Sequence, residues 1–148
     1  MVTLTFLGSG NAFCPSGRMH SLVLIDDGLL VDAPPTVIPQ MRKYGICPSS
    51  ITDLFITHWH GDHTFGVPFL LLERKWISDR AGNQNITIHS LDGGEEKLTH
   101  LCELAYPESL GDLQWVSHNH MQGEAQGWKF ERFEAVSYTH LTLPTTSC

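Results

Sequence analysis

One short stretch, residues 57–63, constrains this chain more than any other part of its sequence. It reads Thr-His-Trp-His-Gly-Asp-His and places four potential metal ligands within six residues. Residues 53–56 before it form a β-branched and aromatic run that predicts a buried strand. Residues 65–76 after it are rich in apolar side chains and predict a helix. The stretch is therefore expected to lie where a strand gives way to a helix.

The spacing of these polar side chains indicates that they converge. On extended backbone, side chains two residues apart point the same way, so His58 and His60 can reach one ion. Gly61 permits a sharp turn, and Asp62 and His63 then return from the start of the helix. Imidazole nitrogens and carboxylate oxygens are both zinc ligands. The pattern H-x-H-x-D-H therefore predicts a metal site, and the alternative is a polar loop whose histidines are merely solvated.

The same residues resemble the signature of the metallo-β-lactamase superfamily, in which H-x-H-x-D-H stands at the end of a strand. Three sequence segments are most similar to the ribonuclease Z-like phosphodiesterase branch. They are LGSGN at residues 7–11, LVDA at residues 30–33, and FITHWHGDHTFG at residues 55–66, which includes the motif. The resemblance covers residues 2 to about 135. It implies an α/β fold that corresponds to the N-terminal half of a metallo-β-lactamase αββα sandwich.

The resemblance also assigns roles to individual residues. His58 and His60 would hold one zinc ion, and Asp62 and His63 would reach a second, with Mn²⁺ or Fe²⁺ as alternative metals. Asp62 would in addition be the catalytic base. Asp32, at the end of a predicted strand, would orient the metal histidines, because a ligating imidazole usually donates its other N–H to a carboxylate or carbonyl. The alternative for Asp32 is a surface carboxylate that caps the following helix.

The function implied is metal-dependent hydrolysis by a water molecule activated at a dinuclear zinc site. The closest resemblance is to a phosphodiesterase of the 3′ tRNA-processing endonuclease type. Thioester or lactone hydrolysis is the alternative within the same superfamily. A non-catalytic, truncated product with incidental metal affinity is a third hypothesis.

The charge balance bears on the substrate. The chain has 148 residues and a formal charge of −7, and its basic side chains cluster only at Arg42-Lys43 and Arg74-Lys75, with Arg80 further on. We interpret these clusters as solvated helix faces. Nucleic-acid binding usually requires a basic surface, because phosphate neutralisation supplies most of the affinity. An RNA substrate is therefore disfavoured but not excluded, and a phosphodiester or another small molecule is the expected partner.

Targeting signals are absent from the sequence as given. No apolar run is long enough to cross a membrane, and no charged-then-apolar leader opens the chain. We therefore expect a cytoplasmic protein without a membrane partner. The resemblance adds the expectation of a homodimer for the intact protein.

Along the chain, predicted strands alternate with predicted helices, which favours an α/β layer. Strands are predicted at residues 2–7, 21–25, 29–31, 51–56, 86–89, 113–116 and 127–134, and helices at residues 36–44, 66–76 and 95–106. Phe69, Leu70, Leu72 and Trp76 of the second predicted helix are assigned to the hydrophobic core. His20 is interpreted as a surface or packing residue, and residues 122–124 as an exposed turn. His118 and His120 repeat the two-residue spacing, although no acid follows them, so a metal role there is the less favoured interpretation.

The last residues stand apart from the rest of the chain. Residues 136–145 can be back-translated into a sequence that resembles a sequencing-library adapter read in one frame. We therefore expect a partial metallo-β-lactamase domain at residues 1–135 and a non-native tail at residues 136–148, and we make no ligand assignment for His140. The remaining metal ligands of the family would then lie beyond the break, and this fragment would be inactive. The alternative is a genuine Thr-rich strand with a flexible end.

Overall fold

The computed structural model describes residues 1–80, 85–110 and 115–133, and the side chains of all of these except residues 115–118. The predicted tail and His140 lie outside the described residues. The elements follow one another as β1 (Leu4–Gly8), β2 (Leu22–Ile25), β3 (Leu29–Val31), α1 (Val37–Lys43), β4 (Asp53–Phe55), α2 (Gly61–Thr64), α3 (Val67–Glu73), β5 (Ile86–His89), α4 (Gly94–Ala105), β6 (Trp115–His118), β7 (Gln122–Ala125) and β8 (Trp128–Glu131).

Six strands form one mixed sheet in the order β1-β2-β3-β4-β5-β6. β1, β2 and β3 are antiparallel neighbours, whereas β3, β4, β5 and β6 run parallel to one another. β1 therefore points the same way as the four parallel strands. Its carboxyl end, the carboxyl ends of β3 to β6 and the start of β2 all lie at one edge of the sheet. This edge is the position at which α/β sheets usually bind ligands.

One hydrophobic core joins the helices to the sheet. The central strands contribute Leu30, Leu54 and Ile88, each fully buried, and these alternate with residues on the opposite face as the two-residue period of a strand requires. Helices α1, α3 and α4 supply the facing side chains of this core, namely Val37, Met41, Val67, Leu70, Leu71, Leu98 and Cys102. The predicted alternation of strands and helices is confirmed as an α/β layer.

Two side chains assigned to the core are largely exposed instead. Phe69 and Trp76 are 42% and 59% exposed, and they line an open cavity of about 350 Å³ with Pro35 and Ile38. Phe69 lies within α3, off the buried stripe of Val67, Leu70 and Leu71. For Trp76 the prediction was wrong because α3 is followed by a five-residue π-helical turn, Arg74–Ser78. That turn changes the angular position of every later residue and rotates Trp76 away from the core.

Arg74, the first residue of the same turn, also differs from its prediction. Its side chain is buried, whereas the sequence predicted a solvated helix face. The guanidinium donates to the Oδ2 of Asp79 at 2.7 Å and to the carbonyls of Pro48 and Ile51. A buried cation of this kind requires such partners, because an unpaired charge in the core is costly. Arg74 therefore fixes the segment that leads into β4.

Residues 122–124 are exposed as predicted, but they form part of a strand and not a turn. β7 pairs with β8 in an antiparallel hairpin whose connection contains Gln126 and Gly127, both at positive φ. Phe130 packs edge-on against Phe55 of the main sheet, with ring centroids 4.8 Å apart. The indole of Trp128 donates to Asp26 at 3.0 Å. The hairpin therefore contacts residues of the main sheet and of its β2–β3 turn.

Candidate metal centre

The predicted metal residues lie at the carboxyl edge of the sheet, where β3 and β4 end side by side. Asp32 follows β3, and its backbone N–H donates to the carbonyl of Phe55, the last residue of β4, at 2.7 Å. The chain then continues from β4 through His58 and His60 into the short helix α2. The N–H of Ala33 donates to the carbonyl of His63 at 2.8 Å, which ties this helix back to the end of β3.

Asp32 contacts His63 directly and is linked to His58 through Thr57. Its backbone has a φ of 67°, in the left-handed region that a non-glycine residue enters only where the surrounding structure holds it. Its carboxylate accepts the backbone N–H of Thr57 at 2.8 Å, the hydroxyl of Thr57 at 2.9 Å and Nδ1 of His63 at 2.7 Å. These three donors compensate the burial of the charge.

The network around Asp32 sets the tautomers of two histidines. His63 uses Nδ1 to donate to Asp32, so in the neutral ring its Nε2 carries the lone pair. The Thr57 hydroxyl gives its single proton to Asp32, so at its 3.0 Å contact with His58 it must accept from Nδ1 of that ring. His58 is thereby also left with a lone pair on Nε2. One carboxylate therefore engages the Nδ1 side of both rings, that of His63 directly and that of His58 through Thr57.

One ring nitrogen of His58 and one of His60 approach each other to within hydrogen-bonding distance. Nε2 of His58 lies 3.1 Å from Nδ1 of His60. Two nitrogens that bind one tetrahedral zinc at 2.0–2.1 Å are separated by roughly 3.3 Å. Their observed separation is therefore close to the spacing that zinc imposes.

Asp62 and His63 form a second pair of donors beside the first. Oδ2 of Asp62 lies 3.4 Å from Nε2 of His63, and both side chains are partly accessible. The rings of His58 and His63 have their centroids 4.0 Å apart, so the two pairs adjoin. Oxygen and nitrogen donors at these positions suit a divalent first-row metal.

The two neighbouring imidazoles differ in their acid–base properties. Burial lowers the pKa of His58 below its ordinary value, and the nearby His63 and His60 lower it further. The hydrogen bond to Asp32 raises the pKa of His63 despite its burial. A lowered pKa keeps His58 neutral near pH 7, which is the form that binds metals.

The donors are brought together in twos. Among the residues that the structure describes, no group of three or more His, Cys, Asp or Glu side chains is arranged to hold a single metal ion. The division into His58 with His60 and Asp62 with His63 stays a prediction. The side chain of His118 lies outside the described part of the chain, and His120 is exposed.

Sequence reasoning missed two features of this region. Thr57 connects Asp32 to His58, and its place immediately before the motif was the available signal. A second His–Asp pair, His89 with Asp53, is buried next to the site, with Nε2 and Oδ1 separated by 2.8 Å. Nothing in the local sequence marks it, because the two residues lie 36 positions apart.

The fold and this edge define a metallo-β-lactamase-fold protein. The structure superposes on the metallo-β-lactamase fold protein YhfI of Bacillus subtilis with a TM-score of 0.67 at 19% identity, over 84% of this chain and 50% of that one. This likeness shows the fold. Human tRNase Z, short form, superposes with a TM-score of 0.65 at 32% identity, over 80% of this chain and 44% of that one.

The sequence comparisons identify the family. The family model described as Anti-Pycsar protein Apyc1 matches residues 2–98, and the chain therefore belongs to that family. Ribonuclease Z of Aeropyrum pernix is 39% identical over 114 residues, which make up 74% of this chain and 36% of that protein. Ribonuclease Z of Pyrobaculum aerophilum is 32% identical over 132 residues, 86% of this chain and 45% of that protein. The predicted resemblance to a ribonuclease Z-like protein of the metallo-β-lactamase fold is confirmed.

The chain spans between about a third and a half of the length of these ribonuclease Z relatives. Within the described residues, no helix has both the length and the apolar character that a membrane span demands.

Proposed function

We propose that this chain carries the first four metal-binding residues of a phosphodiesterase that resembles ribonuclease Z. The observation that supports the proposal is the approach of His58 Nε2 to His60 Nδ1, at 3.1 Å, above a carboxylate that orients the imidazoles. Two nitrogen lone pairs at this distance repel each other unless a cation or a proton lies between them. The donor set therefore fits zinc, with Mn²⁺ or Fe²⁺ as alternatives.

His58 and His60 would hold one ion, and Asp62 and His63 would hold the other. When bound, such a pair of ions polarises the phosphoryl group and lowers the pKa of a coordinated water toward neutrality. The contribution of Asp32 is to keep the tautomers of His58 and His63 that present Nε2 to the site. Its own burial strengthens these hydrogen bonds, because solvent does not compete for the carboxylate.

Asp62 is proposed to act as the base as well as a ligand. A carboxylate oxygen of Asp62 takes the proton of the water that attacks phosphorus, while the bond from phosphorus to the leaving oxygen breaks. Its side chain is 18% exposed, so it is open to a water molecule while remaining beside His63. Asp62 is thus the residue whose loss affects both binding and proton transfer.

The substrate class is inferred from two observations that oppose each other. The relatives are named ribonuclease Z and tRNase Z, which favours an RNA phosphodiester such as the 3′ trailer of a precursor tRNA. The formal charge of −7 disfavours extended contact with a polyanion and favours a small phosphodiester. We propose a phosphodiester in either case, and hydrolysis of a thioester or a lactone is the competing reaction. The homodimer also remains a prediction for the full-length protein.

The test uses the full-length protein, because the present chain spans less than half of its ribonuclease Z relatives. Asp62→Asn removes the basic oxygen but keeps the size of the side chain. With bis-p-nitrophenyl phosphate and added zinc, we expect kcat to fall by about 100- to 10,000-fold, the usual contribution of a general base. Zinc per chain, measured by mass spectrometry, separates lost binding from lost proton transfer.

Retained turnover by Asp62→Asn would remove this residue from the chemistry. Wild-type protein that takes up zinc but cleaves only a thioester or a lactone would overturn the phosphodiester assignment. Wild-type protein that takes up no zinc and cleaves none of these substrates would support the non-catalytic alternative.

A further inference from the structure

A closed set of hydrogen bonds surrounds His20, at the entrance to β2. Nδ1 of His20 lies 2.8 Å from the hydroxyl of Thr36, and that hydroxyl donates to Oε1 of Gln40 at 2.7 Å. Nε2 of Gln40 completes the circuit by donating to the backbone carbonyl of His20 at 2.8 Å. Gln40 is fully buried, so this amide is committed to the circuit and is shielded from water.

The circuit determines which nitrogen of His20 carries the proton. The carbonyl of His20 can only accept, so Gln40 must turn its NH₂ group toward it and present Oε1 to Thr36. The Thr36 hydroxyl therefore donates its one proton to Oε1 of Gln40. Nδ1 of His20 must then be the donor to Thr36, and in the neutral ring Nε2 is left with a lone pair.

The side chain of Thr36 takes part in this circuit and does not cap helix α1. Thr36 is the residue that precedes the first turn of α1, where a Thr side chain normally accepts a backbone N–H of that turn. Here its hydroxyl makes no such capping bond and contacts His20 and Gln40 instead. The glycine of the first strand serves the same circuit, because a Cβ at Gly8 would lie 2.2 Å from the His20 carbonyl.

His20 lies at the same edge of the sheet as the metal residues. β2 runs antiparallel to β3, so the residue that enters β2 stands beside the residues that leave β3. Thr36, which holds the ring, is three residues after Ala33, whose backbone is bonded to the carbonyl of His63. Among the described residues, no partner of Nε2 of His20 is present.

The chemistry of this nitrogen limits what it can bind. A neutral imidazole with a lone pair on Nε2 is an acceptor, so it does not bind a phosphoryl oxygen, which is also an acceptor. A lone pair of this kind can also bind a cation, but the described side chains that hydrogen-bond to His20 are those of Thr36 and Gln40 and include no His, Cys or carboxylate that would share an ion with it. The expected partner is therefore an O–H or N–H donor on the ligand. In a nucleotide phosphodiester, the donor that adjoins the phosphate is the ribose 2′-hydroxyl, which also distinguishes RNA from DNA.

We propose that His20 is a specificity-determining residue whose Nε2 accepts a hydrogen bond from a ribose hydroxyl of the substrate. The proposal rests on the phosphodiesterase function inferred above, and it deepens that function by naming the part of the substrate that is recognised. Holding a ring in one tautomer by a buried amide is the arrangement expected of a residue that binds a ligand.

The variant that tests it is His20→Asn in the full-length protein. An Asn amide nitrogen can replace Nδ1 as the donor to Thr36, so the circuit is kept while Nε2 is lost. kcat/KM is measured for three substrates: a ribodinucleotide, the matching 2′-deoxydinucleotide and bis-p-nitrophenyl phosphate. We expect kcat/KM for the ribodinucleotide to fall by roughly 3- to 10-fold, the effect of one neutral hydrogen bond, with the other two substrates unchanged.

Equal losses on the ribo- and deoxydinucleotides, or no loss on either, would overturn the role of His20 in specificity. Bis-p-nitrophenyl phosphate has no donor, so wild-type turnover of it shows that the phosphodiesterase function holds whatever His20 does. Absence of turnover on all three substrates by the wild-type protein would instead overturn the function itself.

A second measurement does not depend on activity. In ¹⁵N correlation spectra of the metal-free protein, the neutral ring of His20 is expected to be protonated at Nδ1. Thr36→Val removes the hydroxyl and should shift the ring toward the tautomer protonated at Nε2, which is the more common form in solution. A ring of His20 already protonated at Nε2 in the wild-type protein would overturn the proposal.

Discussion

Among the described residues, the pairs Asp32–His63 and Asp53–His89 have almost the same geometry and different surroundings. Nδ1 of His63 lies 2.7 Å from Asp32, and Nε2 of His89 lies 2.8 Å from Asp53. Distance alone therefore does not distinguish them. They differ in which ring nitrogen is engaged and in what contacts the rest of the ring.

The Asp32–His63 pair opens onto the candidate metal centre, whereas the Asp53–His89 pair lies under the β7–β8 hairpin. His63 is 19% exposed and turns Nε2 toward Asp62. His89 is 7% exposed, stacks on Phe55 at 4.2 Å and meets the edge of Phe130 at 5.3 Å. The comparison indicates that a His–Asp pair serves chemistry when the second nitrogen reaches a site, and serves packing when aromatic rings enclose it.

The largest expected difference between the pairs is in activity. His63→Asn keeps a donor at the position of Nδ1, and so the bond to Asp32, but it removes Nε2. In the full-length protein, we expect kcat/KM on bis-p-nitrophenyl phosphate to fall by at least about 1,000-fold, since loss of a mere orienting partner costs 10- to 100-fold. His89→Gln, which keeps a donor at the position of Nε2, is the matched control and should leave activity unchanged. Comparable losses in both variants would remove the functional distinction.

The free energy of unfolding should depend more on the Asp53–His89 pair than on the Asp32–His63 pair. His89→Ala leaves the buried carboxylate of Asp53 without its imidazole, which costs about 3 kcal/mol, the low end of the range for a broken buried pair. The low end applies because Gln126 also contacts Asp53. His63→Ala should lower the free energy of unfolding of the metal-free protein by about 1 kcal/mol, since its partner Asp32 keeps the donors from Thr57. Urea titration of both variants measures this, and equal losses would contradict it.

Zinc affinity should depend on Asp32 and not on Asp53, with a smaller effect than the loss of activity expected for His63→Asn. Asp32→Asn weakens the acceptor that holds the tautomers of His58 and His63, and zinc affinity is expected to fall by about 10- to 100-fold. Competition with a chelator of known affinity measures the dissociation constant. The same replacement in the other pair, Asp53→Asn, should leave zinc affinity unaltered. A weaker effect at Asp32 than at Asp53 would mean that Asp32 does not orient the ligands.

The resemblance predicted that Asp32 orients the metal histidines, whereas nothing in the sequence predicted the second pair. Asp32 and His63 are 31 positions apart, so local patterns account only for the motif itself. The strand before residues 57–63, the turn at Gly61 and the following helix are dictated by neighbouring residues, so the motif could be placed before its geometry was known. Contacts between distant segments carry no such signal. Asp53 meets His89 only because β4 and β5 are parallel neighbours, in a register that pairs Asp53 with Thr87.

The same limit explains the other corrections. Arg74 has the composition of a solvated helix face, and its burial depends on carbonyls more than 20 positions away. β7 lacks the apolar alternation of a strand because one residue of its four, Ala125, is buried, and it is identified only by its pairing with β8. The hydroxyl of Thr36 would be assigned to helix capping from sequence alone. Its bond to His20 depends on how β2 is placed against β3.

The smallest expected effect concerns the ring that covers His89. Phe130 meets His89 edge-on, and an aromatic contact of this kind contributes about 0.5–1.5 kcal/mol beyond the area it buries. A double-mutant cycle with Phe130→Leu and His89→Gln should therefore give a coupling free energy of roughly 0.5–1 kcal/mol in urea unfolding. Activity of the full-length protein should not change in either single variant, because the contacts that define this pair are made to Asp53 and Phe55. A coupling of zero, or an effect on zinc uptake, would mean that the hairpin does not serve as the packing cover of this pair.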